Sequence, residues 1–186
     1  FFWRAHLPNP ALLQSVDSEQ FTKAFGTADG GFSARPFFDM ATTHELFHLR
    51  LFAGGIETQR IWLEEVFCNL ASIAFVTKNQ PELLKANDLL TSYHLQTNKT
   101  MLKYTCLETF EENRMKIVME APQNYGWYQF RFIDAANKLF HEGGEEVLKK
   151  LWNFLGEEKE KLSDEALKVK LSTEVHPYFN ELIENW

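Results

Sequence analysis

The chain is 186 residues long, with a net charge of -7, a pI near 5.4, 45% hydrophobic and 15% aromatic residues, and two cysteines. That length suits one domain able to bury most of its surface without disulfides. The scattered acidic residues argue against a nucleic-acid partner, and no apolar run approaches the roughly 20 residues that a bilayer span requires.

In chain order, Phe1 opens the sequence without a methionine, as a processed form or a piece of a longer protein would, and no basic-then-apolar leader follows. FFWRAHL, residues 1 to 7, alternates weakly and predicts an edge strand. DSEQFTKAF, 17 to 25, predicts a short capped helix, and the Gly- and Pro-bearing stretch 26 to 36 predicts a loop or irregular strand. After Pro36 the hydrophobic spacing is helical, with segments at 37 to 53, 57 to 78, 80 to 97, 107 to 121, 127 to 142, 144 to 155 and 177 to 185. Gly54-Gly55, Asn79-Gln80-Pro81 and Gly143-Gly144 separate them, and the charged run 157 to 168 reads as a solvated helix and linker. The expected fold is therefore mainly α: one compact helical domain over 1 to 186, with at most a small β element at the N-terminus. Cys68 and Cys106 lie in apolar contexts without a CxxC partner and read as small buried hydrophobes.

The stretch DMATTHELFHLRLFAGG carries the chemistry. His44 and His48 lie four apart, so a helix stacks them on one face, where both imidazoles can reach one metal ion. Glu45 projects about 100° round the helix from His44, close enough to act on a water as general base without being a ligand. A third ligand must come from elsewhere. The metal would lie level with residue 46, about seven residues before the Gly54-Gly55 turn, and an antiparallel helix starting near Glu57 would face it seven or eight positions in. Glu64 and Glu65 stand there. Glu65 shares a polar stripe with Thr58, Asn69 and Ser72, which favours it over Glu64, and Asn69 one turn on could hydrogen-bond its carboxylate. His94 is the other candidate third ligand, without a spacing argument.

These residues resemble the gluzincins, zinc peptidases in which HExxH on one helix is completed by a glutamate on the next. WLEEVFC, 62 to 68, looks like the W-L-N-E-G-F-A that often surrounds that glutamate in the aminopeptidase branch. The resemblance spans 42 to 76. It implies zinc on His44, His48 and Glu65, Glu45 as base, Asn69 where thermolysin-like sequences support a ligand histidine, and a peptide or protein substrate. Hydrolysis also needs a donor for the developing oxyanion, for which Tyr93, His94, Tyr125 and Tyr128 are candidates. NYGWYQFRFIDAANKLF looks like the tyrosine-bearing downstream helix of small gluzincin-like domains, which points to Tyr128 or Tyr125, with Arg131 on the same helix available to a substrate carboxylate. Family members hold peptide against a sheet edge upstream of the motif, whereas here that sheet must be short pieces around 1 to 7 and 30 to 35 or lie outside the chain. The alternative expectation is thus a non-catalytic binding or scaffold domain that keeps the zinc-site helices. His141, near a predicted helix end, is expected to meet the helix dipole, and His6 and His176 have no predicted partner.

Overall fold

A computed structural model describes residues 18–186, so the predicted edge strand at 1 to 7 and His6 lie outside the described residues. The described residues form eight α-helices: α1 (Ser18–Phe25), α2 (Arg35–Ala53), α3 (Ile61–Asn79), α4 (Leu84–Leu95), α5 (Leu107–Glu120), α6 (Pro122–Glu157), α7 (Asp164–Lys170) and α8 (Tyr178–Glu184). Among them there is no strand, only one isolated antiparallel bridge between Gly26 and Phe32. The mainly α expectation holds, and of the strand piece predicted at 30 to 35 only Phe32 pairs, between a turn at 28–29 and the start of α2 at Arg35. No helix of the described residues is long and apolar enough to cross a membrane.

α3 is the axis of the fold. Its sequence is apolar on almost every face, and Leu63, Val66, Cys68 and Leu70 have no exposed surface, a pattern that marks a helix wrapped by others. It packs most extensively along α6 and next against α2. Burying each such side chain stabilises by about 1.5–3 kcal/mol, and the long α6 buries at least as many apolar side chains against it. A second apolar cluster joins Phe21 and Phe25 of α1, Phe37 of α2, Leu90 of α4 and Phe130 of α6, and so ties the start of α2 to the far side of the molecule.

Several predicted boundaries move. The second helix of the hairpin begins at Ile61, not Glu57, because residues 56–60 are non-helical; Glu111 of α5 caps the new start by accepting from the backbone N–H of Ile61 at 2.7 Å. The segments predicted as 127 to 142 and 144 to 155 are one helix, α6, kinked at Gly144, whose φ of 57° a side chain would resist. His141 therefore lies inside α6 and not at its end, which removes the expected helix-dipole role. His176 has neighbours: its Nδ1 accepts from the Tyr178 backbone N–H, and its Nε2 lies 3.9 Å from Glu142. The charged run becomes the end of α6, a polar loop, and α7, whose Ser163 cap accepts from the backbone of Ala166. Cys68 is buried as expected, but Cys106 is exposed, standing just before α5 with its sulfur 2.9 Å from Thr109 Oγ1.

Candidate metal centre

Phe37, Met40, Ala41, His44 and Leu51 of α2 face inward, and the 3.6-residue repeat that buries them also turns His44 and, one turn on, His48 toward α3. The structure brings both histidines to Glu65. His44 Nε2 lies 3.3 Å and His48 Nε2 3.5 Å from Glu65 Oε2, and the two Nε2 atoms are 2.9 Å apart. His44 and Glu65 are each 3% exposed. Among the described residues, these are the His, Cys, Asp or Glu side chains grouped closely enough to hold a metal ion. Glu65 reaches the histidines although the helix start assumed in the sequence count is displaced, because the non-helical residues 56–60 cover the first part of the return.

The partners of the other ring nitrogens decide what the three atoms can do. Asn69 Nδ2 donates to the Glu65 backbone carbonyl at 2.9 Å, which turns its Oδ1 toward His44 Nδ1 at 3.0 Å. An amide oxygen only accepts, so His44 carries its proton on Nδ1. His48 Nδ1 donates to Glu64 Oε1 at 2.7 Å, and Thr58 Oγ1 reaches the other oxygen of that carboxylate at 3.3 Å. Both imidazoles thus turn Nε2 toward each other and toward Glu65 Oε2, with the Cys68 thiol beside His48. Three acceptors facing inward repel unless a cation lies among them, and that cation is either a proton or a metal ion.

Electrostatics agree. Burial opposes charge on His48, but hydrogen bonds to Cys68, Glu64 and Glu65 and the Glu65 charge outweigh it, and its pKa is pushed up to about 12. Burial would likewise keep Glu65 protonated, yet the two histidines hold its carboxyl well below the usual range. Glu64 is also lowered, chiefly by its hydrogen bond from His48. Burial keeps the neighbouring Cys68 thiol protonated, with its pKa raised to about 11. Without a metal the centre therefore holds an imidazolium among carboxylates.

The donor set suits zinc. Two neutral imidazoles and one carboxylate are the three protein ligands of open catalytic zinc sites. Bonds of about 2.0–2.1 Å at tetrahedral angles separate ligand atoms by roughly 3.3 Å, and the observed separations of 2.9, 3.3 and 3.5 Å bracket that figure. Both histidines already have the outer acceptors that metal-bound imidazoles need.

Other predicted residues separate into those near the centre and those away from it. Glu45 is exposed on α2 beside His44. Tyr125 is half-buried, and its hydroxyl pKa is raised first by burial and then by the Glu65 charge, with Arg114 opposing and Glu45 adding to the rise. A protonated Tyr125 hydroxyl thus lies within electrostatic reach of the centre. Tyr128 has no exposed surface, and its hydroxyl donates to the Cys106 carbonyl at 2.8 Å inside a ring cluster with Phe110, Trp127 and Trp186. His94 stacks flat on Phe130 at 4.0 Å beside Tyr93, and Arg131 lies over the rings of Trp186 and Trp127. These contacts give Tyr128, His94 and Arg131 structural partners. Asn69 bonds His44 and the Glu65 backbone; its expected bond to the Glu65 carboxylate is not formed.

Two contributors were missed from sequence. Glu64, weighed only as a ligand, instead orients His48. Arg114 of α5 places Nη1 3.7 Å from Glu65 Oε1 while remaining partly exposed. Nothing in its surroundings, EENRMK, distinguishes it from a solvated arginine, whereas the adjacent glutamates 64 and 65 at the predicted level were a signal for Glu64.

No protein-family model matches the chain, and neither a curated protein nor a solved structure matches it significantly.

Proposed function

We propose that the protein is a zinc-dependent hydrolase, a metallopeptidase of gluzincin type, with His44, His48 and Glu65 as zinc ligands. The observation that carries this reading is the tautomer arrangement: Asn69 and Glu64 occupy both Nδ1 protons, so that both Nε2 atoms and Glu65 Oε2 converge as acceptors. A closed structural site would have four protein ligands, whereas here three converge and a carboxylate stands beside them. When bound, zinc polarises a substrate carbonyl and lowers the pKa of a water to about 7.

The chain's own residues supply the rest. Glu45, one position from His44 on the exposed side of α2, takes the proton of the attacking water and passes it to the leaving amine. Tyr125 stays protonated and donates to the carbonyl oxygen as it gains charge. Arg114 attracts Glu65 Oε1 and leaves Oε2 for the metal, and its half-exposed guanidinium keeps further N–H donors at the mouth of the site. Leu46, Leu49 and Phe52 expose apolar surface on the same helix as Glu45, which suits an extended chain with apolar side chains.

The second reading, a non-catalytic domain that retains the zinc helices, is favoured by one observation: among the described residues no strand offers an edge for peptide beside α2. A broad peptide library incubated with zinc-loaded wild type and Glu45→Gln separates the two. The enzyme reading expects cleavage by wild type, and zinc retention without cleavage in the variant. Zinc binding with no cleavage by either protein would support the scaffold, and cleavage undiminished in Glu45→Gln would reject the mechanism.

A further inference from the structure

Next to the hydrogen bond between His44 and Asn69 lies a cavity of about 20 Å³, walled by α2, α3, α4 and α6. One water molecule needs about 10–15 Å³ of such space and two to four polar partners. The partners are present. Ser72 Oγ is fully buried and finds no hydrogen-bond partner among the described residues, and the equally buried Asn87 Nδ2 makes no hydrogen bond of normal geometry, its amide acting only on the neighbouring Asp88 carboxyl; both residues line this cavity together with His44 and Asn69. Ser72 is 2% and Asn87 6% exposed, so bulk water does not satisfy them. Leaving two such groups unmade costs about 1–3 kcal/mol each, which a native core seldom tolerates.

Asn69 supplies the third partner. Its Oδ1 accepts from His44 with one lone pair and has a second to offer. We propose that the cavity binds one structural water, which accepts from Asn87 Nδ2, bonds to Ser72 Oγ and donates to Asn69 Oδ1, and that Ser72 and Asn87 thereby act as positioning residues for His44. Three bonds is the usual number for a buried water.

The consequence lies in the Asn69 amide. Its orientation is held by the bond from Nδ2 to the Glu65 carbonyl. Were the amide turned over, an N–H would face His44 Nδ1, the ring proton would move to Nε2, and the lone pair aimed at Glu65 Oε2 would be lost. A water donating to Oδ1 opposes that turn, because it would meet another donor in the flipped amide. Ser72 and Asn87, a layer behind the residue that touches His44, thus set which nitrogen faces the metal.

The positioning role rests on the metal-centre reading, while the water rests on the cavity alone, and the test keeps them apart. A high-resolution crystal structure of the full chain is expected to show one ordered water within about 3.2 Å of Ser72 Oγ, Asn87 Nδ2 and Asn69 Oδ1. Zinc competition and the ring ¹⁵N shifts of His44 are then compared in wild type, Ser72→Ala, Asn87→Leu and Ser72→Thr. Ser72→Ala and Asn87→Leu should each weaken zinc binding about tenfold, the lower end for outer-shell changes, and move His44 from the Nδ1-protonated pattern toward a mixture. Ser72→Thr, which keeps the hydroxyl, should restore both, and Ser72→Ala removes too little to unfold the protein should Asn87→Leu fail to fold. A dry cavity, or wild-type ¹⁵N shifts in Ser72→Ala, overturns the inference. If wild type binds no zinc, the hydrolase reading falls while the His44 shifts of the zinc-free protein still decide this one.

Discussion

Two buried polar clusters flank the ends of the connection between α2 and α3, and they are built on opposite rules. At the Gln59–Arg60 node, Gln59 Nε2 donates to the carbonyls of Glu158 and Glu160 while its Oε1 accepts from the Leu162 backbone N–H, and Arg60 donates to Asp164 and to the Leu162 carbonyl. Donors and acceptors match, so the node closes on itself and pins the loop before α7. At the histidine centre the surplus is all of one kind: Nε2, Nε2 and Oε2 converge as acceptors. A balanced cluster holds a fold together, and an unbalanced one asks for a cation.

The largest effect separates the two clusters outright. His44→Ala or His48→Ala should lower zinc affinity by more than the roughly 100-fold that losing an outer partner costs, and with it all hydrolysis. Arg60→Ala should leave zinc binding unchanged and destabilise the fold by about 2 kcal/mol, because it strands backbone carbonyls. Chelator titration of each variant, followed by thermal melts, checks both halves; a zinc defect in Arg60→Ala would erase the distinction.

Next in size is Glu45→Gln, which should keep zinc and lower kcat by about 10²–10⁴, measured on the first peptide found to be cleaved. The tyrosines follow. Tyr125→Phe should lower kcat by about 10²-fold with little change in KM, while Tyr128→Phe should leave kcat alone and cost about 1 kcal/mol of stability through its bond to the Cys106 carbonyl. Steady-state kinetics with the reverse pattern would move the oxyanion donor to Tyr128. Smaller still, Glu64→Ala should weaken zinc binding about 10–100-fold by freeing the His48 ring, read by competition with a chromophoric chelator.

The last effect is in the pH response. In zinc-free protein His48 has a folded-state pKa raised to about 12, above its unfolded value of about 6.5. Its contribution to stability is therefore fully present below pH ~6.5 and is lost as pH rises toward the folded value. Zinc must displace that proton, so zinc affinity should instead rise with pH, about tenfold per unit for one proton. Melting curves from pH 5 to 8 should show the zinc-induced gain growing as pH rises, while the apo protein gains nothing. A gain independent of pH would mean that no ring proton is exchanged for metal.

Much of this was legible in the sequence, and the reasons differ by residue. His44, His48 and the mainly α architecture follow from periodicity, which is local. Glu65 came from assuming equal rises in two antiparallel helices; the structure does bring it to both histidines, although the helix starts four residues later and the non-helical residues 56–60 make up the path. Arg114 and the Ser72–Asn87 cavity were not legible, because they depend on how α4 and α5 dock against α3, and tertiary packing leaves no mark on local spacing. Tyr125 and Tyr128 share the same sequence signal. Only the three-residue offset round α6, which buries Tyr128 among rings and leaves Tyr125 half-buried, tells them apart.

The most direct test is metal analysis of protein purified without chelator, for wild type, Glu45→Gln and His48→Ala. One zinc per chain is expected in the first two and next to none in the third. Equal zinc content in all three, or none in wild type under zinc-replete conditions, would contradict the claim that His44, His48 and Glu65 form a metal centre.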